Sequence, residues 1–259
     1  MNHNFSKELK VAISLSKEAG ELLVKHFRTT YRIVRKSHHE MVSKVDILSQ
    51  NLIIEKLLNS FPNYGFISEE KLEYNNIEGL TWVIDPLDGT HNYIAGIPNF
   101  GISIALVDKN NYYLGVIYLP IQDKLYYAIK GNGAFCNEEK IFSNNNDDLT
   151  KSMVAYDNNF HINENVLNNL KLIANESFTV RVLGSAVNDL CLISSGRLDA
   201  RIWNATKIVD IAAGLVILNE AGGKITDYDG NDVNIRSTEI LASNGLVHDK
   251  ILSIINKKV

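Results

Sequence analysis

The chain has 259 residues, enough for a large core in one domain or two closely packed halves. Apolar residues make up 45% and charged residues 22%, and the net charge of −4, with no basic run, argues against nucleic acid as a partner. No stretch reaches the ~20 apolar residues of a membrane span, and no apolar signal core follows the polar Met1–Lys10 segment, so the expected location is the cytoplasm.

A helix is predicted over 6–30, with Ser6 as N-cap and an apolar stripe of Leu9, Ala12, Ile13, Leu15, Ala19, Leu22, Leu23 and Phe27. Residues 31–43 alternate and then turn polar, which suggests a short hairpin or a mobile loop. A second helix spans about 44–60, with Ile47, Leu48, Leu52, Ile53, Leu57 and Leu58 on its buried side. A short strand at 64–68 runs into Glu69-Glu70. A strand at 81–85 ends at Pro86, and strands at 100–108, 112–119 and 124–129 follow as an antiparallel set. The polar segment 143–150 reads as a connection. Beyond it strands (152–156, 178–182, 199–203, 239–242) alternate with helices (163–174, 185–195, 209–221, 246–256), an α/β pattern after an α+β first half. The expected division is 1–145, carrying most candidate ligands, and 146–259, carrying Asp210, in one compact unit. Cys136 and Cys191 lie far apart, in no metal-type spacing, and read as packing residues in a reducing compartment.

The run Trp82-Val-Ile-Asp85-Pro-Leu-Asp88-Gly-Thr90-His-Asn-Tyr93 concentrates two carboxylates and a hydroxyl at a strand end. Asp-Pro and Asp-Gly are ordinary turn pairs. Equally, carboxylates this close repel unless a cation lies between them, and hard oxygen donors suit a divalent ion such as Mg²⁺. Glu69 and Glu70 are either a solvated loop or, if their strand neighbours 81–85, part of the same acidic cluster. Asp210 opens an almost wholly apolar helix, either as a dipole-favoured N-terminal acid or as a further ligand. Gly184-Ser185-Ala186 opens a helix whose free N–H groups either are capped by Ser185 or hold an anion.

Taken in order, Ile67-Ser-Glu69-Glu70, the 82–93 run, Gly184-Ser-Ala186 and Val209-Asp210-Ile-Ala-Ala-Gly214 resemble the inositol monophosphatase family of Mg²⁺-dependent, lithium-sensitive phosphatases over nearly the whole chain. The resemblance implies a layered αβαβα sandwich of the inositol monophosphatase and fructose-1,6-bisphosphatase type, mixing α+β and α/β parts. It implies two to three Mg²⁺ ions: one on Glu69, Asp85 and the Leu87 carbonyl, a second on Asp85, Asp88 and Asp210, and a weaker third through Glu70. It further implies that Thr90 and Asp46 orient and deprotonate an attacking water, that Lys36 is the active-site loop lysine, and that the chain is a homodimer acting on a small phosphorylated metabolite. Substrate contacts would come from Asp88, Gly89, Thr90, Gly184, Ser185, Ala186, Trp203 and Asp210.

Two positions depart from the family pattern. Val209 stands where a tryptophan usually precedes the aspartate. Trp203 stands where inositol-selective members carry an acid, and an indole cannot accept hydrogen bonds from a polyol. An aromatic face there can instead stack on a base or sugar, and Arg181, Arg197 or Arg201 can meet a second phosphate. The expected function is phosphomonoester hydrolysis. Its substrate is an inositol phosphate or, alternatively, fructose 1,6-bisphosphate, 3′-phosphoadenosine 5′-phosphate or NADP. A non-catalytic phosphate-binding regulator is the second alternative.

Overall fold

Strands without polar alternation need cover on both faces, and Thr81–Asp88 and Gly101–Val107 are buried at every position. These two strands anchor the larger of two main sheets. The structure, a computed structural model, describes residues 4–29, 33–35, 41–69, 79–162 and 164–256, with 33–35 and 41–43 described as backbone only.

The first half runs α1 (Ser6–His26), β1 (Ile33–Arg35), β2 (Met41–Ser43), α2 (Lys44–Ser60), β3 (Gly65–Ser68), β4 (Thr81–Asp88), α3 (Thr90–Ile94), β5 (Gly101–Val107), β6 (Tyr112–Leu119), β7 (Lys124–Ile129), β8 (Ala134–Cys136) and β9 (Glu139–Ile141). The rest runs β10 (Met153–Tyr156), α4 (Glu164–Glu176), β11 (Thr179–Arg181), α5 (Ala186–Ser194), β12 (Ala200–Trp203), α6 (Ile208–Glu220), β13 (Lys224–Asp227), β14 (Ile240–Ser243) and α7 (His248–Ile255). One sheet has the order β3-β4-β5-β6-β7-β8-β9 and the other β11-β10-β12-β14-β13. β1 and β2 pair antiparallel as the hairpin expected within 31–43.

The layers follow from what each helix buries. α1 and α2 cover one face of the seven-stranded sheet, and α5 and α6 cover the other. The five-stranded sheet lies beyond α5 and α6, and α4 and α7 close its outer face. The architecture is thus an αβαβα layered sandwich. α6 is buried from Ile208 to Leu218 apart from Asp210, because it is packed between two sheets. Close approach at its centre requires Gly115: a Cβ there would stand 2.2 Å from the Ala213 carbonyl oxygen.

Several local expectations change. The N-cap of α1 is Phe5 rather than Ser6, and the Ser6 N–H donates to Asn4 Oδ1 at 3.1 Å. The helix ends at His26, where Phe27 becomes extended. On α2, Ile47, Leu48 and Leu58 are exposed at 44%, 37% and 37%, while Asp46, Ser49 and Gln50 are buried beside Ile53 and Leu57. The face turned inward is the one that can hydrogen-bond: Ser49 Oγ donates to the Pro86 carbonyl at 2.9 Å. Pro86 does not end β4. The strand continues through it to Asp88, with Asp85 opposite Ser103 and Asp88 opposite Gly101, so β4 carries one extra residue. β8, β9 and β13 are short strands that the apolar pattern does not announce.

Candidate active site

β3 and β4 are parallel neighbours, with Ser68 opposite Ile84. Their carboxyl ends leave the sheet side by side, so Glu69 follows one strand where Asp85 and Asp88 close the other. Across the pocket, β10 and β12 are also parallel, and Asp157 and Trp203 stand at their carboxyl ends. The candidate site therefore lies outside the carboxyl ends of strands in both sheets, where open α/β sheets place ligands. It is a pocket of about 380 Å³ whose walls include Glu69, Asp85, Leu87, Asp88, Gly89, Thr90, Gly184, Ser185, Ala186, Trp203 and Asp210. Asp46 sits just behind the wall, 2% exposed. Lys36 and Glu70 lie outside the described residues.

Each acid is held by its own donors. Asp85 Oδ1 accepts from the Leu87 N–H at 3.0 Å. Asp88 faces the start of α5, where it accepts from Ser185 Oγ, from the Ala186 N–H at 3.1 Å and from the Val187 N–H at 3.3 Å. The anion at this helix N-terminus is thus the Asp88 carboxylate, while Ser185 also caps the helix through Asn188 N–H. Asp210 Oδ2 accepts from Thr206 Oγ1 and the Lys207 N–H, each at 3.0 Å, so it caps its own helix and still lines the pocket. Lys207 Nζ lies 3.8 Å from Glu69 Oε1. Thr90 Oγ1 is 3.0 Å from both Asp46 Oδ1 and the Leu87 carbonyl oxygen.

Burial, followed by the charges of Glu69, Asp88 and Asp210, pushes the Asp85 carboxyl well above the ordinary carboxylate range. Burial also raises Asp88 to about 7, against the hydrogen bond from Ser185 that lowers it and with the charge of Asp210 adding to the rise. Among the described residues no three Asp, Glu, His or Cys side chains are drawn into a closed metal cage. The chemistry of the set nevertheless suits a hard divalent cation: its donors are oxygens, they are anionic, and each raises its neighbour's cost of ionising. A shared cation would offset that cost with a positive charge while the N–H and O–H donors keep the carboxylates in position.

Turn geometry holds the set in place. Gly89 has φ of +82°, and a Cβ there would stand 2.8 Å from the Asn99 carbonyl oxygen. Asn92, which the sequence reading passes over, uses its Nδ2 to reach the carbonyls of Asn99 at 2.9 Å and Leu183 at 2.9 Å. It ties α3 to the loop before α5.

Sequence reasoning also misses Asp157. Its oxygens accept from Asn204 N–H, from Asn204 Nδ2 at 3.0 Å and from Ala205 N–H at 3.4 Å, and it lines the pocket. Only its place after a predicted strand hinted at it. Of these three arginines, Arg181 and Arg197 are exposed and do not line the pocket, whereas Arg201 lines it. Trp203 is 3% exposed, and the Arg201 guanidinium lies 5.1 Å from its ring centroid. One face of that indole is therefore taken by Arg201 rather than offered to a base.

Comparisons with known proteins agree with this architecture. The model of the inositol monophosphatase family matches residues 4–259. A fructose-1,6-bisphosphatase/inositol-1-monophosphatase of Thermotoga maritima is 33% identical over 97% of this chain and 96% of its own length. The Nus factor SuhB of Pasteurella multocida is 33% identical over 95% of this chain and 94% of its own. Among solved structures, the extragenic suppressor protein SuhB of Bartonella henselae superimposes with a TM-score of 0.92 at 30% identity, covering 98% of this chain and 100% of that one. The order of motifs, the layered sandwich and the whole-length match lead to one assignment: the chain belongs to the inositol monophosphatase family, whose members are phosphoric monoester hydrolases.

Proposed function

We propose that the protein is a Mg²⁺-dependent phosphomonoesterase acting on a small phosphorylated metabolite. The observation that carries this reading is the meeting of Glu69, Asp85, Asp88 and Asp210 with the Thr90–Asp46 pair at one pocket. Glu69, Asp85 and the Leu87 carbonyl would hold one ion, Asp85, Asp88 and Asp210 a second, and Glu70 would help hold a third. Bound there, Mg²⁺ would neutralise charge on the phosphate and the leaving oxygen and make hydroxide accessible near neutral pH.

The chain's own residues supply orientation and a proton path. With its proton directed to Asp46 Oδ1, Thr90 Oγ1 presents a lone pair to water. Water passes a proton to Thr90 Oγ1 as it attacks phosphorus in line, and Thr90 passes its own to Asp46. No protein group needs to be phosphorylated. The Ser185 hydroxyl and the Ala186 and Val187 amides hold Asp88 in place, so Ser185 and Ala186 act on substrate through that carboxylate as well as by bordering the pocket, and Gly184 borders it. Lys36 is assigned to the active-site loop.

The printed names of relatives cover both inositol phosphate and fructose 1,6-bisphosphate. The test is phosphate release, with and without Mg²⁺, from inositol 1-phosphate, fructose 1,6-bisphosphate, 3′-phosphoadenosine 5′-phosphate and NADP. Mg²⁺-dependent release with a clear preference supports the reading. No release from any of them, with Mg²⁺ still bound, turns it toward a regulatory role, a second reading that the SuhB relatives named as Nus factors favour. No helix among the described residues is long and apolar enough to cross a membrane. We place the enzyme in the cytoplasm, as a homodimer.

A further inference from the structure

Period two along β12 sends Ala200 and Ile202 into the outer core with α4 and α7, and turns Arg201 and Trp203 toward α5 and the pocket. Arg201 is only 4% exposed. A guanidinium has five N–H donors and cannot shed its charge, so burial this deep demands partners. Its Nη1 donates to the Tyr156 carbonyl and stands 2.9 Å from Asp189 Oδ2, and its plane lies by the Trp203 ring. Its Nε is buried without a hydrogen-bond partner among the described residues. Asp189 is 0% exposed on α5 and does not border the pocket, so the pair turns its cationic member toward substrate. The nearby Asp157 directs its oxygens to the donors of Asn204 and Ala205.

We infer that Arg201 is a specificity residue that takes a second anionic group of the substrate, a phosphate remote from the ester being cleaved. The inference rests on the phosphatase reading above. A guanidinium forks onto phosphate oxygens in a way that a neutral hydroxyl cannot match. Tyr156, Asp189 and Trp203 already fix its orientation, so little side-chain freedom is lost on binding. Trp203 thereby acts on specificity as the platform under Arg201. Its position is where an acid would bind a polyol in inositol-selective relatives, and here the pocket offers a cation instead.

The experiment is the ratio of kcat/KM for fructose 1,6-bisphosphate over inositol 1-phosphate, measured with Mg²⁺. Two variants are compared with wild type: Arg201→Lys, and Arg201→Met combined with Asp189→Leu. The combined change removes both charges and leaves no buried acid unpaired. Thermal melting establishes that each variant is folded. The ratio is expected to fall on the order of tenfold or more in the combined variant, chiefly through KM for the bisphosphate, and by less in Arg201→Lys. An unchanged ratio in a folded variant overturns the role of Arg201. If wild type hydrolyses neither ester, the ratio is not readable, and the phosphatase reading fails as well only when 3′-phosphoadenosine 5′-phosphate and NADP also release no phosphate. Calorimetric binding of fructose 1,6-bisphosphate then tests Arg201 alone: binding weaker by about tenfold in the combined variant, and by less in Arg201→Lys, upholds it, and equal binding overturns it.

Discussion

Thr90 Oγ1 stands 3.0 Å from Asp46 Oδ1, joining the first turn of α3 to the first turn of α2 across 44 residues of sequence. The same hydroxyl lies 3.0 Å from the Leu87 carbonyl oxygen, and one proton cannot serve both acceptors. Donation to Asp46 leaves the hydroxyl oxygen ready to accept a proton. Thr90→Val keeps the shape and removes the relay. Its kcat is expected to fall by on the order of 10²–10⁴, with KM little changed. Asp46→Asn should fall comparably, and the double variant should be no worse than the poorer single, since the pair acts as a unit. Steady-state phosphate release measures all three, and fully additive losses would contradict the pairing.

Asp88 is 8% exposed and repelled by Asp210. Asp88→Asn removes a buried charge but keeps a similar outline. Turnover should be abolished while the melting temperature without added metal changes by no more than a few degrees. Added Mg²⁺ should raise the melting temperature of wild type more than that of the variant, because a cation that binds only the folded state stabilises it. Scanning calorimetry with and without Mg²⁺ reads both effects. Equal Mg²⁺ shifts would remove Asp88 from the cation site.

His248 is fully buried, with its ring nitrogens 2.9 Å from Thr226 Oγ1 and 2.8 Å from Ser243 Oγ. Burial, then the nearby Lys224, lowers its pKa from 6.5 to about 4. A base whose pKa falls on folding binds fewer protons folded than unfolded, so stability rises with pH across that window. The chain should therefore lose up to about 3 kcal/mol as pH falls from 6.5 through 4. Urea titrations of wild type and His248→Gln across that range isolate the contribution. The variant should be less stable at pH 7 and flatter below it, and parallel curves would assign the acid sensitivity elsewhere.

Gly115 and Gly131 make a matched pair. At Gly115 an added methyl meets the Ala213 carbonyl oxygen at 2.2 Å, between β6 and α6, where neither backbone can yield cheaply. At Gly131 nothing lies within 4 Å, and the cost is the φ of +86° alone. Gly115→Ala should lose about 3 kcal/mol or more, and Gly131→Ala about 1 kcal/mol. Equilibrium denaturation compares them directly.

The acidic set was legible in sequence because it is local: Asp85, Asp88 and Thr90 fall within one strand-turn-helix, and Glu69 and Asp210 sit at element ends with their own signals. The α/β character of the second half followed from its alternation, while the layered order followed from the family resemblance. The inward face of α2 was not legible. Counting apolar residues favoured Ile47, Leu48 and Leu58, yet these are exposed and Asp46, Ser49 and Gln50 are inside. A polar residue can be buried when a partner awaits it, and the partners of Asp46 and Ser49 are Thr90 and Pro86, far along the chain. Asp157 and Arg201 were obscured for the same reason. Their roles depend on the 204–205 turn, the Tyr156 carbonyl and Asp189, which come together only once β10, β12 and α5 are packed.

The extra residue in β4 carries a further consequence. Positions three apart on an unbroken strand point to opposite sides of the sheet. Between Asp85 and Asp88 the chain takes three steps while β5 takes two, which cancels that inversion, and both carboxylates border the same pocket. Pro86, lacking an N–H, leaves no donor stranded where the ladder is interrupted. The acidic centre thus depends on the number of residues in this segment as much as on their kinds. One residue added to β5 between Gly101 and Ser103 would restore even pairing over three steps and turn Asp88 away from Asp85, dismantling the centre with every acidic residue still in the chain.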